Sequence, residues 1–388
     1  MDIFQRSIKL HEELRGKITV ENKLDIRTKE DLSLAYSPGV AAPCEEIHAN
    51  PSKVYDYTIK GNTVAIFSDG SAVLGLGNIG AHAAIPVMEG KAMLFKRFAG
   101  INGFPICVNT QDTEEIISIV KNIAPVFGGI NLEDISSPRC FEIEERLQNI
   151  GIPVFHDDQH GTAIVVLAAL MNYCRLTHRK LEDLKIVING AGAAGIAISR
   201  YLGRKDPEAT NQQIAKEIIM CDTHGIIHKD RSDLIDIKLD LLNYTNPRNV
   251  SGTVEDALPE ADVFIGVSKA NLLDRNHIRS MAKDPLILAL ANPIPEILPE
   301  EALAGGAFIV CTGRSDFPNQ VNNVLAFPGI FLGALHARAP RITLTMKFAA
   351  AAAIASAVVE PRRDLIIPPT LDESIAHRVA KAVVDSCV

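Results

Sequence analysis

The chain has 388 residues, of which 47% are hydrophobic and 22% charged, and its formal net charge is −8. This length accommodates two domains with separate cores, and the acidic balance argues against a nucleic-acid or anionic-membrane partner. The seven Cys are scattered without a CxxC pair, which indicates reduced thiols in a cytoplasmic protein rather than a disulfide framework or a structural zinc. The most apolar run, residues 348–359, has about half the length that spans a bilayer.

The first part of the chain alternates helix and strand patterns. Residues 3–14 have the spacing of an amphipathic helix, and the segment SPGVAAPC at 37–44 is predicted as a loop. Buried strands are predicted at 63–69, 105–110, 129–135 and 153–158, with helices at 84–100, 115–127 and 141–150 between them. This alternation predicts an α/β domain with a largely parallel sheet, which we place at residues 1–160.

A second α/β series begins near residue 161 with a long apolar helix pattern. Strands are predicted at 185–189, 217–225, 261–268, 286–293 and 307–313, each ending at a polar or Gly-rich turn. The pattern predicts a Rossmann-type doubly wound parallel sheet over residues 161–342. Residues 343–388 are predicted to form two helices that pack back on the core.

A Gly-rich turn follows the predicted strand at 185–189 and opens a helix. Its first Gly permits a tight turn, its second lets the backbone approach a pyrophosphate, and its third lets helix and strand pack closely. The strand–turn–helix context predicts a dinucleotide site, and the alternative is a turn without a ligand. The predicted cofactor-binding residues of this turn are Gly190, Gly192, Ala193, Ala194 and Gly195.

Asp222 ends the next predicted strand and is placed to accept a hydrogen bond from a ribose 2′-hydroxyl. Its spacing from the turn is long, and the polar stretch at 203–213 absorbs the excess as an inserted loop. The carboxylate favours NAD over NADP because it repels a 2′-phosphate. His224 lies close enough to weaken this preference, so NADP stays possible, and Asp222 could instead be a plain turn residue.

Four acidic residues lie at the ends of two consecutive predicted strands: Glu133, Asp134, Asp157 and Asp158. Like charges that close together are tolerated when a cation or a positioned proton compensates them. Because successive strand side chains point to opposite faces, we expect three of the four to reach one ion. Oxygen ligands suit Mg²⁺ or Mn²⁺, and solvated turns are the alternative.

Two further residues are candidates for proton transfer. Lys91 has apolar neighbours on a predicted helix, so desolvation and a nearby cation would lower its pKa toward that of a general base. Tyr36 is a phenol in a loop before a Pro-Gly turn. The alternatives are a surface Lys and an amphipathic packing Tyr.

The chain resembles the malic enzyme family, in its compact prokaryotic form, over essentially its whole length. Eight motifs carry the resemblance in family order: AYSPGVAAPC, SDGSAVLGLGNIG, EGKAMLFKRFAG, NLEDI, PVFHDDQHGTA, NGAGAAGIAI, ALANP and FPNQVNNVLAFPG. The resemblance implies oxidative decarboxylation of L-malate to pyruvate and CO₂ with NAD(P)⁺ and a divalent metal. It also suggests a homodimer.

The resemblance assigns roles to matching positions. Glu133, Asp134 and Asp158 would be metal ligands, and Asp157 would lie beside the metal and tune the base. Strand alternation would separate Asp157 from Asp158 and turn it toward Lys91. Lys91 would be the general base and Tyr36 the general acid. The resemblance also implies that Asn292 and Asn323 contact malate or the nicotinamide, although either could be a turn residue.

Three points stay open in the sequence. The larger eukaryotic family members carry an Arg after the Asp-Gly of their strand, where this chain has Ser71 and Ala72. A malolactic enzyme, which releases lactate, and a non-catalytic dinucleotide-binding regulatory protein are the alternative functions. Tyr36 lies far from Lys91 in sequence and could reach a partner's cleft.

Overall fold

The computed structural model describes residues 2–206 and 212–387. Its N-terminal segment forms four helices: α1 (Ile3–Leu14), α2 (Lys29–Ala35), α3 (Ala41–Ala49) and α4 (Val54–Tyr57). Helix α1 has the predicted bounds, and the Asp2 carboxylate accepts from the Gln5 N–H at 2.8 Å. The predicted loop at 37–44 is wrong from Ala41 onward, because Pro43 falls in the first turn of α3, where its missing N–H costs no helical bond.

A four-stranded parallel sheet follows, in the order β2-β1-β3-β4. Its strands are β1 (Thr63–Ser68), β2 (Asn102–Cys107), β3 (Gly129–Leu132) and β4 (Val154–His156). Helices α5 (Gly80–Ala99), α6 (Thr113–Ile123) and α7 (Arg139–Leu147) connect them. Leu132 is in register with His156, so the residues that follow β3 and β4 emerge side by side at one edge of the sheet.

Helix α8 (Asp157–Thr177) follows β4 without a loop. The strand predicted through residue 158 is therefore wrong at its end, because Asp157 and Asp158 form the first turn of this helix. Carboxylates are favoured there, since the free N–H groups and the helix dipole stabilise negative charge. The helix also crosses the boundary predicted at residue 160, and the three domain ranges stay a prediction.

The second sheet has the order β10-β9-β8-β5-β6-β7 and is parallel except at β7. Its strands are β5 (Lys185–Asn189), β6 (Glu217–Asp222), β7 (Gly225–Ile226), β8 (Val263–Gly266), β9 (Leu286–Ala289) and β10 (Ile309–Thr312). The associated helices are α9 (Ala193–Gly203), α10 (Asp236–Leu241), α11 (Val254–Ala257), α12 (Arg275–Ser280) and α13 (Pro299–Ala304). The strand predicted at 217–225 reverses after Asp222, and part of the predicted inserted loop, residues 207–211, lies outside the described residues.

Three last helices, α14 (Phe327–His336), α15 (Leu344–Ala357) and α16 (Ser374–Asp385), close the structure. Helix α16 packs tightly on α14 at Gly329 and Gly333. A Cβ at either glycine would lie only 2.5–2.6 Å from carbonyl oxygens of α16. The predicted α/β class, Rossmann-type sheet and two C-terminal helices are confirmed. Within residues 2–206 and 212–387, no helix is long and apolar enough to cross a membrane.

Candidate active site

A cleft of about 750 Å³ lies where the carboxyl ends of both sheets meet. In parallel α/β sheets this edge is where ligands bind. Half of the predicted site residues line it: Lys91, Glu133, Asp134, Asp158, Ala194, Asn292 and Asn323. The structure thus brings the acidic strand ends and the Gly-rich turn together around one space.

Three carboxylates in the cleft form a compact acidic group. Glu133, Asp134 and Asp158 each offer an oxygen, and these oxygens lie within 4.8 Å of one another. Asp134 has a left-handed backbone (φ 55°), and its N–H donates to the Asp158 carboxylate at 2.8 Å. The group has the same members as the ligand set that the resemblance implies.

Burial and mutual repulsion both act on the carboxylates of the acidic group. Burial and the neighbouring Asp158 charge raise the pKa of Asp134 to about 8, and burial raises that of Glu133 well above its ordinary value. The buried Asp134 Oδ2 has no hydrogen-bond partner among the described residues. An oxygen-only donor set with an uncompensated charge and a free lone pair fits Mg²⁺ or Mn²⁺.

Lys91 lies at the floor of the cleft and is 9% exposed. Its Nζ donates to Asp157 Oδ2 at 2.5 Å, lies 2.9 Å from Glu133 Oε1, and stands 4.2 Å from the centre of the Phe327 ring. Burial disfavours the ammonium, but the two carboxylates outweigh burial and raise the pKa of Lys91 above its ordinary value. The expected lowering is wrong for this arrangement, because the sequence displays the apolar neighbours and not the carboxylates brought in by the fold.

Asp157 is fully buried and forms an ion pair with Lys91, and it is not a member of the acidic group. Its Oδ2 also accepts from Asn323 Nδ2 at 3.0 Å, while Asn323 Oδ1 accepts from the Thr162 hydroxyl. Successive residues of a helical turn diverge in direction, and this separates Asp157 from Asp158; the strand alternation invoked from the sequence does not apply. Gly161, which the sequence reasoning missed, makes room, since a Cβ there would lie 2.0 Å from Asp157 Oδ1.

A buried network behind the cleft was also missed. The Glu144 carboxylate accepts from the His156 N–H at 3.1 Å, from Gln159 at 3.0 Å and from His160 at 2.9 Å, and His160 also bonds Tyr201 at 3.0 Å. Burial raises the pKa of Glu144, but the interaction with His160 outweighs it and lowers that pKa to about 2. The network fixes the start of α8. The sequence does contain one signal of this network: Glu144 is an acidic residue on the otherwise apolar face of α7.

The Gly-rich turn has the geometry that a dinucleotide requires. Gly190 has a φ of 121°, and a Cβ at Gly195 would lie 1.7 Å from the Gly190 carbonyl oxygen. Gly192 faces open space, α9 begins at Ala193 without a side-chain cap, and Ala194 in its first turn lines the cleft. These features provide a close approach and an anion site at a helix N-terminus.

Two predicted site residues are placed differently. Tyr36 follows α2, is 68% exposed, and is not among the described residues that line the cleft. Asp222 ends β6, beside β5, but its carboxylate is engaged by Arg231, Lys238 and the His224 N–H. Asp222 therefore lies at a strand end, as the cofactor prediction requires. Its carboxylate is bonded to nearby residues of the chain, as the turn-residue alternative requires.

The Asp-Gly turn after β1 has no Arg of its own, and Arg139 comes to it from α7. The guanidinium bonds Asp69 at 2.9 Å and the hydroxyls of Ser71 and Ser136 at 3.0 Å. Arg139 is tied to the turn and is not one of the described residues that line the cleft. Its contacts rigidify the turn next to Ala72, which does line the cleft.

Comparison with known proteins covers both parts of the chain. Residues 15–148 match the family profile "Malic enzyme, N-terminal domain", and residues 159–388 match "Malic enzyme, NAD binding domain". The "Bifunctional malic/malolactic enzyme" of Bacillus subtilis is 53% identical over 99% of this chain and 92% of its own length. The "NAD-dependent malic enzyme" of Geobacillus stearothermophilus is 52% identical over 100% of this chain and 79% of its own length.

Solved structures agree with these matches. A crystal structure of an NAD-dependent malic enzyme from Thermotoga maritima superposes with a TM-score of 0.93 at 48% identity, covering 99% of both chains. Curated relatives also include an "NADP-dependent malic enzyme" of Haemophilus influenzae, 47% identical over 98% of this chain and 52% of its own length. Relatives that are similar to this chain thus carry either cofactor in their names.

Proposed function

This chain belongs to the malic enzyme family, and from that premise we propose how its residues carry out the oxidative decarboxylation of L-malate with NAD(P)⁺. It is an oxidoreductase, so the alternative of a non-catalytic dinucleotide-binding protein is set aside. The observation that carries the proposal is one cleft lined by Lys91, the acidic group and Ala194 of the Gly-rich turn, with the buried Asp157 bonded to Lys91. The roles of individual residues are our proposal.

The acidic group of Glu133, Asp134 and Asp158 would hold Mg²⁺ or Mn²⁺. Bound there, the metal would polarise the C2 oxygen of malate and stabilise the negative charge that develops on it. A cation held by Glu133 would offset the negative charge that this carboxylate presents to Lys91. That would favour the neutral amine that a general base requires, with Asp157 orienting Lys91.

Lys91 accepts the proton of the C2 hydroxyl while a hydride leaves C2 for the nicotinamide, which gives a ketone. The bond between C3 and the β-carboxylate then breaks, CO₂ leaves, and the bonding electrons remain as an enolate. Tyr36 donates its phenolic proton to C3, and pyruvate results. Asn292 and Asn323 are proposed to orient malate against the nicotinamide.

We propose that Tyr36 acts in the cleft of a second copy in a homodimer. Helix α1 buries none of its residues, and Ile3, Phe4 and Ile8 on it are exposed. An apolar surface of this kind is typical of a subunit interface. Mixing Tyr36→Phe with Lys91→Ala protein should recover roughly a quarter of wild-type activity, because half of the mixed dimers' sites would be intact. No recovery in a mixture shown to exchange subunits would argue that Tyr36 acts within its own chain.

The test of the reaction is an assay of malate with Mn²⁺ and each cofactor, with and without EDTA. We expect net NAD(P)H formation in step with pyruvate, and loss of both with EDTA. The printed name of the Bacillus subtilis relative keeps malolactic chemistry as the second candidate. Lactate accumulating without net reduced cofactor would establish it instead, and no malate consumption under any condition would overturn both.

A further inference from the structure

The carboxylate that ends β6 occupies the position from which Rossmann-type sheets discriminate between cofactors. Asp222 is the last residue of β6, which pairs with the strand that carries the Gly-rich turn. An acidic side chain here accepts from a ribose 2′-hydroxyl and repels a 2′-phosphate. Both effects require a carboxylate with free lone pairs and an uncompensated charge.

Asp222 has neither property in this chain. Its Oδ1 accepts from the His224 N–H at 2.8 Å and from Arg231 Nη1 at 2.8 Å. Its Oδ2 accepts from Arg231 Nη2 at 3.0 Å and from Lys238 Nζ at 2.6 Å. A carboxylate has about four lone-pair sites, and four donors of the described chain occupy them.

The charges around Asp222 balance as well. Arg231 also bonds Asp233 at 2.6 Å, so two carboxylates face one guanidinium and one ammonium. The Asp222 and Arg231 side chains are 5% and 8% exposed, so solvent screens this pair less than it screens Asp233, which is 46% exposed. Burial would raise the pKa of Asp222, but the bonds from Arg231 and Lys238 outweigh it and lower that pKa to about 2.

We propose that Arg231 and Lys238 are specificity-determining residues that cancel the discrimination by Asp222, so that this chain binds NAD(H) and NADP(H) with similar affinity. A ribose hydroxyl gains no bond from a saturated carboxylate, and a 2′-phosphate meets no unpaired negative charge. The inference rests on the proposed function to the extent that it takes a nicotinamide dinucleotide as the cofactor.

Lys238 and Asp222 should shift specificity in opposite directions. Lys238→Met frees a lone pair on Asp222 Oδ2 and leaves the group with a net negative charge, which favours NADH. Asp222→Asn removes one negative charge and leaves the group with a net positive charge, which favours NADPH. Lys229→Met, a neighbouring exposed lysine, removes the same charge without contact to Asp222 and serves as the control.

The experiment is fluorescence titration of the full chain with NADH and with NADPH in the absence of malate. We expect wild-type Kd values within about tenfold of each other, a shift of the ratio of at least about tenfold in opposite directions for the two variants, and no shift in Lys229→Met. If Asp222→Asn does not fold, Asp233→Asn replaces it, because it also leaves the cations in excess.

Three results would overturn the proposal: a wild-type preference beyond about a hundredfold, shifts of both variants in the same direction, or ratios that stay within about twofold of wild type. Binding is measured without turnover, so the outcome is independent of the malate assay. A chain that binds both cofactors but does not oxidise malate would contradict the proposed function and leave this inference standing.

Discussion

Two groups of acidic residues follow parallel strands in this molecule, and they differ in how far the chain itself completes them. In the cleft, burial and like charge raise the pKa of Asp134 to about 8, and its Oδ2 lacks a partner within the described chain. At the end of β6, Asp222 has four donors and a pKa of about 2. We propose that an incoming cation completes the first group, whereas Arg231 and Lys238 already compensate the second.

The position of a carboxylate at a strand end therefore does not define its role. The partners supplied by other elements decide whether it binds a ligand or completes the fold. Changes at the cleft should therefore alter catalysis with little loss of stability. Changes at the completed carboxylates, Asp222 and Glu144, should alter stability.

The largest effect is expected from Lys91→Ala. Loss of the proposed general base should lower kcat by about 10²- to 10⁴-fold, measured as NAD(P)H formation at saturating malate. Mn²⁺ binding should persist, because the three ligands remain. Lys96→Ala, at an exposed position on the same helix, should have wild-type kcat; an unchanged kcat in Lys91→Ala would remove Lys91 from the mechanism.

A smaller catalytic effect is expected from Gly161→Ala. The added Cβ would lie 2.0 Å from Asp157 Oδ1, so that carboxylate must shift, which disturbs the 2.5 Å contact between its Oδ2 and Lys91. We expect kcat to fall by roughly ten- to a hundredfold with Mn²⁺ affinity retained. Because both changes act on one contact, Gly161→Ala combined with Asp157→Asn should be strongly non-additive. Additive losses would show that Gly161 acts elsewhere.

Glu144→Gln should mainly destabilise the fold. It removes the buried charge that His160, Gln159 and the His156 N–H surround, at a cost of about 2 to 4 kcal/mol in the free energy of unfolding. Urea unfolding measures the loss, and Glu145→Gln, the exposed neighbour, is the control. Equal stability of the two variants would mean that the network does not anchor α8.

The smallest effect concerns pH. The pKa of Asp222 is lowered from 3.8 to about 2 in the folded chain, so the folded state binds fewer protons than the unfolded state between these values. The stabilisation is therefore present above about pH 4 and lost as the pH falls toward 2. After allowance for solvent screening, Asp222→Asn should cost about 1 to 2 kcal/mol at pH 6 and much less near pH 2.5. An equal cost at both pH values would contradict the pairing.

Much of the fold could be predicted because its signals are local. Hydrophobic periodicity located α1 and the strands other than β7, and the turn at Gly190 was identifiable from its strand and helix context. The strand was predicted to continue past Asp157 because acidic residues are common both at the end of a strand and in the first turn of a helix. The sequence alone does not show which of the two applies at Asp157. The segment after Tyr36 was misjudged because a Pro in a first helical turn resembles a loop signal.

The sequence could predict which acidic residues meet in the cleft, but not how the charged side chains interact. The acidic group could be proposed because parallel strand ends converge. The raised pKa of Lys91, the saturation of Asp222 and the Glu144 network could not, since each depends on side chains from separate elements. Such contacts are set by tertiary packing, which a single sequence does not display.

Asp157 and Asp158 are proposed to have different roles, the first with Lys91 and the second with the metal, and Mn²⁺ titration by calorimetry separates these roles. We predict that Asp158→Asn loses Mn²⁺ binding, because it removes a member of the acidic group. Asp157→Asn should bind Mn²⁺ with nearly wild-type affinity and show its defect in kcat and its pH profile. Loss of Mn²⁺ binding in Asp157→Asn, or its retention in Asp158→Asn, would contradict the account.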